Sequence, residues 1–226
     1  MSMPAQVMPP PLREGHRLSR GEFMRRWDAM PDLKRAELID GIVHMASPVS
    51  AVNGANQADL SAWLWHYAKS ATGCRVYLST TWLMSSDNAR QPDLALQILP
   101  EYGGQSRYEG EYPVGAPELT IEVSYTTAAR DAGDKLRLYE RIGVREYMIA
   151  LPAKRQVVWR ELVGGRFREI PQDADGWLRS RVFPGLWLDP AALWRGDFSV
   201  LTALQSGIDT DEHRAFAREL ALRKQP

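Results

Sequence analysis

The stretch Glu118–Lys135, ELTIEVSYTTAARDAGDK, decides how this chain is to be read. Leu119, Ile121 and Val123 read as a buried strand, and Glu122 stands among them. A carboxylate in such a strand is costly unless a cation, a metal ion or a proton compensates it. Beyond the strand the spacing predicts a helix from about Ala129 to Ile142. It buries Leu136, Tyr139 and Ile142 and ends at Gly143. REYMIAL then follows as a second buried strand.

Working outward, the N-terminal side opens with a capping box at Ser19–Glu22, with Leu18 and Phe23 placed for a hydrophobic staple. LKRAELIDGIVHMA reads as two strands joined at Asp40-Gly41, a hairpin turn signal. Leu60, Trp63, Leu64, Tyr67, Ala68 and Ala71 recur at helical spacing in a helix from about Gly54 to Ala71. Trp63 and Trp65 cannot share one helix face, so one of them is free to meet a partner subunit. RVYLS, TWLM and DLALQIL are strands, with SSDNARQ a polar loop and 100–117 a long loop rich in Gly and Tyr. On the C-terminal side QVVWREL and RFREI form a hairpin about Gly164-Gly165, and a last helix runs from about Asp211 to Arg223. The order predicts an α/β or α+β domain around a mixed central β-sheet flanked by helices.

The 226 residues suffice for one good core. Residues 1–17 are read as a flexible proline-rich leader, 18–196 as the domain and 197–226 as a C-terminal helical extension. Lys plus Arg and Asp plus Glu number 28 each, so no overall field draws the protein to nucleic acid or membrane. The single cysteine, Cys74, excludes an intramolecular disulfide and a thiolate cluster, and it fits a reducing cytoplasm. There is no signal peptide, membrane-spanning run, P-loop, nucleophile elbow or paired-histidine metal motif.

Three acids occupy awkward places. Glu37 lies inside a strand, Asp93 opens one directly after Pro92, and Glu122 is deep in another. Proline fixes the backbone before Asp93 and so aims its carboxylate. Hard divalent cations take oxygen ligands, commonly one or two protein carboxylates. Each acid also has a plainer explanation: Glu122 can lie on the solvent face of its sheet, Glu37 can pair with Arg35 on a surface, and Asp93 can be a turn residue. Lys135 can pair with Asp131 one helical turn away.

The ordered set ELIDG, a helix, QPDLAL, ELTIEVS, a helix carrying DxxDK, and GVREYMIA resembles the Uma-two family of PD-(D/E)XK restriction-endonuclease-like proteins. The likeness spans roughly Ala36 to Trp194. It implies a restriction-endonuclease-like fold, Mg²⁺-dependent phosphodiester cleavage (with Mn²⁺ as the alternative ion) and a nucleic-acid substrate, DNA before RNA. It also implies a homodimer. By the same resemblance Asp93 and Glu122 bind metal, Glu37 assists, and Lys135 is the catalytic lysine. Two positions depart from the pattern. Ser124 stands where an E-x-K element has lysine, and Asn53-Gly54 stands where relatives often carry His-Gly. The rival expectation is a nuclease-like fold that binds or assembles without turnover.

Overall fold

The protein is described by a computed structural model. It covers residues 8–45, 48–124 and 129–224, with the backbone alone for 129–132. Residues 1–7 of the expected leader and the side chain of Asp131 therefore lie outside the described residues.

The first half builds a sheet from short hairpins. Helix α1 (Arg20–Asp28) is capped by Ser19, whose hydroxyl accepts from Glu22 N. Strands β1 (Ala36–Ile39) and β2 (Ile42–Met45) pair antiparallel. Asp40 and Gly41 both adopt positive φ (48° and 76°), which a tight I′-type turn requires. Residues 8–17 run beside this hairpin: Gly15 N donates to Val43 O, Val43 N to His16 O, and Leu12 is buried. Helix α2 (Ala51–Ser70) begins three residues before the expected start because the Ser50 hydroxyl caps Asn53 N.

After α2 come β3 (Cys74–Leu78), β4 (Trp82–Ser85), β5 (Asn88–Arg90) and β6 (Leu94–Ile98). The polar stretch SSDNARQ is thus not a plain loop. It turns tightly and returns as β5, with Asn88, Ala89 and Arg90 all buried. The expected loop 100–117 likewise contains a hairpin, β7 (Arg107–Glu109) with β8 (Tyr112–Val114). Then follow β9 (Leu119–Val123), α3 (Ala129–Ile142), β10 (Glu146–Leu151), β11 (Gln156–Val163) and β12 (Arg166–Glu169). The C-terminal part adds a small pair, β13 (Leu178–Arg179) and β14 (Trp187–Leu188). Helices α4 (Pro190–Leu193), α5 (Val200–Ile208) and α6 (Asp211–Leu222) complete it.

The strands form two six-stranded sheets, ordered β2-β1-β5-β4-β8-β7 and β12-β11-β10-β9-β6-β3. The second is the mixed central sheet: β9 and β10 run parallel, and its other neighbours pair antiparallel. The first sheet gathers the expected hairpin β1–β2 and the expected strand TWLM, now β4, with β5, β7 and β8, which the sequence pattern left as loops. The strands of the central sheet are apolar on the face that meets α2. Leu94, Leu96, Leu119, Ile121, Met148 and Ala150 share a core with Leu60, Trp63, Leu64 and Tyr67 of α2. Each large apolar side chain so buried contributes about 1.5–3 kcal/mol. Trp63 is fully buried, with its indole N–H on Trp187 O at 3.0 Å, whereas Trp65 points out and is 55% exposed. Val200, Leu204 and Leu220 of the C-terminal helices belong to this same core. The opposite face carries a smaller cluster with Ala95, Tyr139, Tyr147 and Ile149, and it is on this face that Glu122 lies.

Candidate active site

Register alone sets the acids side by side. In the β6–β9 ladder Leu94 faces Ile121, so one further step sets Asp93 opposite Glu122. In the first sheet Leu38 faces Ala89, and one further step sets Glu37 opposite Arg90. Glu37 also faces His44 across the hairpin. The chain crosses from the first sheet to the second through Gln91-Pro92-Asp93. The crossing therefore joins the two rows at one place. A cavity of about 270 Å³ opens there, lined by Glu37, Asp93, Glu122 and Lys135 together with Arg35 and Gln91. All four residues expected from the sequence thus border the same cleft.

Glu122 is 8% exposed and accepts from three donors. Lys135 Nζ lies 2.9 Å from Oε2, the Tyr139 hydroxyl donates to Oε1 at 2.8 Å, and Arg90 Nη2 reaches Oε1 at 3.3 Å. Burial acts to raise the Glu122 carboxyl, but Lys135 and Arg90 outweigh it and hold it below the ordinary carboxylate range. Arg90 is wholly buried. Its Nη1 sits 3.0 Å from Glu37 Oε2, off the hydrogen-bond direction, so that contact is an ion pair. The other oxygen of Glu37 accepts from Gln91 N at 2.8 Å. Glu37 therefore pairs with Arg90, not with Arg35.

Asp93 is held differently. Its Oδ2 accepts from Val123 N at 2.8 Å, while Oδ1 has Arg35 Nη2 at 3.8 Å, beyond hydrogen-bond reach. Burial and the charge of Glu122 push the Asp93 carboxyl up to about 6, against the pull of the Val123 N–H, Lys135 and Arg35. It is a carboxylate short of positive charge. The cleft also holds two amide oxygens without a hydrogen-bond partner among the described residues, Gln91 Oε1 and Asn53 Oδ1.

This donor set is oxygen-only, which is the chemistry of a hard divalent ion. Among the described residues no three His, Cys, Asp or Glu side chains are grouped to hold a metal ion. The set that fits is two carboxylates, Asp93 and Glu122, with an orphan amide oxygen nearby. Mg²⁺ commonly binds through one or two carboxylates with water completing its shell, so the residues present suit it. Ser124 also borders the cleft, its N–H on Ala150 O at 3.0 Å, and Lys135 reaches Glu122 from α3 instead.

The sequence pattern missed Arg90 as part of the site and assigned Tyr139 to the core. One signal could have found Arg90. Two acids in buried strands demand cations, and Arg90 is the arginine nearest in sequence to Asp93.

Comparison with solved structures places the fold. A crystal structure from Anabaena variabilis ATCC 29413, titled a putative nuclease belonging to DUF820, matches with a TM-score of 0.59 at 15% identity. The match covers 76% of this chain and 96% of that one. The central mixed sheet with its flanking helices is thus the restriction-endonuclease-like fold that the sequence predicts. No curated protein matches the chain. Residues 21–191 match the family described as "Putative restriction endonuclease", a span that also takes in α1, before the expected start of the likeness at Ala36. With more than half of its length matched, the chain belongs to the Uma2 family.

Proposed function

We propose that the protein is a Mg²⁺-dependent nuclease that hydrolyses phosphodiesters in nucleic acid, DNA before RNA. The observation that carries this reading is the pairing of Asp93 and Glu122 in one cleft with Lys135 Nζ 2.9 Å from Glu122. Asp93 and Glu122 would hold the ion, with Mn²⁺ as a substitute. Bound there, such an ion supplies Lewis-acid polarisation of a phosphoryl oxygen and a more acidic water. The protein's own groups do the rest. Lys135, on the rim, stabilises charge developing on the phosphate or holds the attacking water. Glu37, with Arg90 behind it, assists from the first hairpin. Tyr139 and Arg90 keep Glu122 Oε1 fixed, so that Oε2, which Lys135 holds, is the oxygen left for an ion to compete for.

A second reading, binding without turnover, draws support from Glu122 itself, whose two oxygens already have partners. Calorimetry with Mg²⁺ and Mn²⁺ separates the two. Asp93→Ala and Glu122→Ala should each weaken ion binding at least tenfold; the nuclease reading is lost if neither does. Lys135→Ala should leave ion affinity undiminished and lower cleavage of a plasmid and oligonucleotide panel by about 10²–10³-fold. Unchanged cleavage would remove Lys135 from the reaction.

A further inference from the structure

Among its described residues the cleft is balanced charge for charge. Glu37, Asp93 and Glu122 face Arg35, Arg90 and Lys135, and each of these acids has a cation partner within 4 Å. If Asp93 and Glu122 hold a divalent ion, as the nuclease reading on which this inference rests requires, some of those partners must let go. Arg90 is wedged among Glu37, Glu122 and Tyr139 with no exposed surface. Arg35 and Lys135, by contrast, reach the surface, 29% and 30% exposed on long stems.

Arg35 is the less committed of the two. A guanidinium offers five N–H donors. In Arg35 Nη2 donates to Ser79 Oγ at 2.8 Å, and among the described residues the one carboxylate within 4 Å of it is Asp93, at 3.8 Å. Ser79 is fixed in turn, with φ at 47° and its N–H on Asp93 O at 3.1 Å. The guanidinium is thus anchored at one corner on the cleft wall, and among the described residues its remaining donors have no carboxylate at hydrogen-bond distance. A planar fork in this state suits the paired oxygens of a phosphate better than a single ammonium does.

We propose that Arg35 is the phosphate-binding residue of this cleft, standing against Asp93 until a divalent ion takes that carboxylate and then transferring to a phosphodiester of the substrate. The charge count makes the exchange reciprocal. A neutral cleft that gains two positive charges favours an anion, and a bound phosphate favours the ion in return. Ion and nucleic acid therefore bind with positive coupling, and the ion-free protein holds nucleic acid weakly.

The test uses the full chain, a labelled oligonucleotide duplex and Ca²⁺, another oxygen-seeking ion, in place of Mg²⁺. Anisotropy is read across a salt series. Wild-type affinity should rise on adding Ca²⁺. Arg35→Ala should weaken duplex binding about tenfold and reduce the slope of log affinity against log salt by about one. By calorimetry the same variant should bind Ca²⁺ alone as tightly as wild type, or more tightly. Arg35→Lys should restore the salt slope but only part of the affinity. Arg35→Gln, which removes the charge but keeps a polar side chain at the position, should give the Ala result. An Arg35→Ala protein with unaltered duplex affinity and slope overturns the proposal. Loss of Ca²⁺ binding in that variant does so as well, because Arg35 would then merely support the cleft. A wild-type protein that binds neither Ca²⁺ nor duplex overturns the nuclease reading, and the proposal with it.

Discussion

Removing the Arg90 guanidinium would leave Glu122 buried with one cation instead of two, and Glu37 with none. Breaking a buried pair from one side destabilises by about 3–5 kcal/mol, since the surviving charge stays desolvated. Glu37 is 22% exposed, so solvent screens part of that penalty and the lower figure is the one to expect. Arg90→Met should therefore lower stability by about 3 kcal/mol in urea unfolding. Adding Glu122→Gln to Arg90→Met should recover part of the loss. Additive destabilisation of the double variant would mean that the pair is not coupled. Glu122 and Asp93 were legible in the sequence because each breaks a local rule, one inside an apolar strand and one after a proline. Arg90 was not, because a lone arginine in SSDNARQ breaks none. Only the ladder with β1 and β4 buries it.

Among the elements, α5 carries a glycine that helix propensity alone would replace. Exposed interior positions gain about 1 kcal/mol from Gly→Ala. At Gly207 the added Cβ would run into the backbone carbonyl of Gly185 and the ring of Trp187. Backbone on backbone cannot yield cheaply, so Gly207→Ala should destabilise by about 1–3 kcal/mol despite the better propensity. Thermal unfolding against wild type decides the sign. The elements that the sequence showed well are those whose period is long enough to read: α2 with its apolar stripe, the hairpin at Asp40-Gly41, and the strands of the central sheet. Strands β5, β7 and β8 have three residues each, too few for alternation to register, and tertiary pairing alone creates them. Helix α5 falls within the expected helical extension 197–226, although the sequence pattern set bounds only for the last helix.

Across the whole molecule, another buried acid links the C-terminal segment to the central sheet. Glu146 opens β10 and accepts from the Trp159 indole, the Ser180 hydroxyl and the backbone N–H groups of Arg181 and Val182. Burial nevertheless pushes its carboxyl from 4.5 up to about 7, because its donors are neutral. The sign follows from proton counting. Between pH 4.5 and about 7 the native state keeps a proton at Glu146 that the unfolded chain has released, so stability falls as pH rises through this window and levels off above it. Glu122 acts oppositely, and its stabilisation is lost as pH falls through its lowered pKa. Urea midpoints at pH 5 and pH 8 should therefore drop with rising pH in wild type. The slope should flatten in Glu146→Gln, whatever that variant's absolute stability; an identical slope would show that Glu146 is not the titrating group.

The one-for-one matching of acid and base in the cleft has a practical consequence for how such proteins are found. The formal charges of its three acids and three bases cancel, and the chain as a whole is neutral. A survey that ranks proteins by net charge would pass over this molecule. One that asks which interior guanidinium groups sit between carboxylates from separate sheets would stop at Arg90.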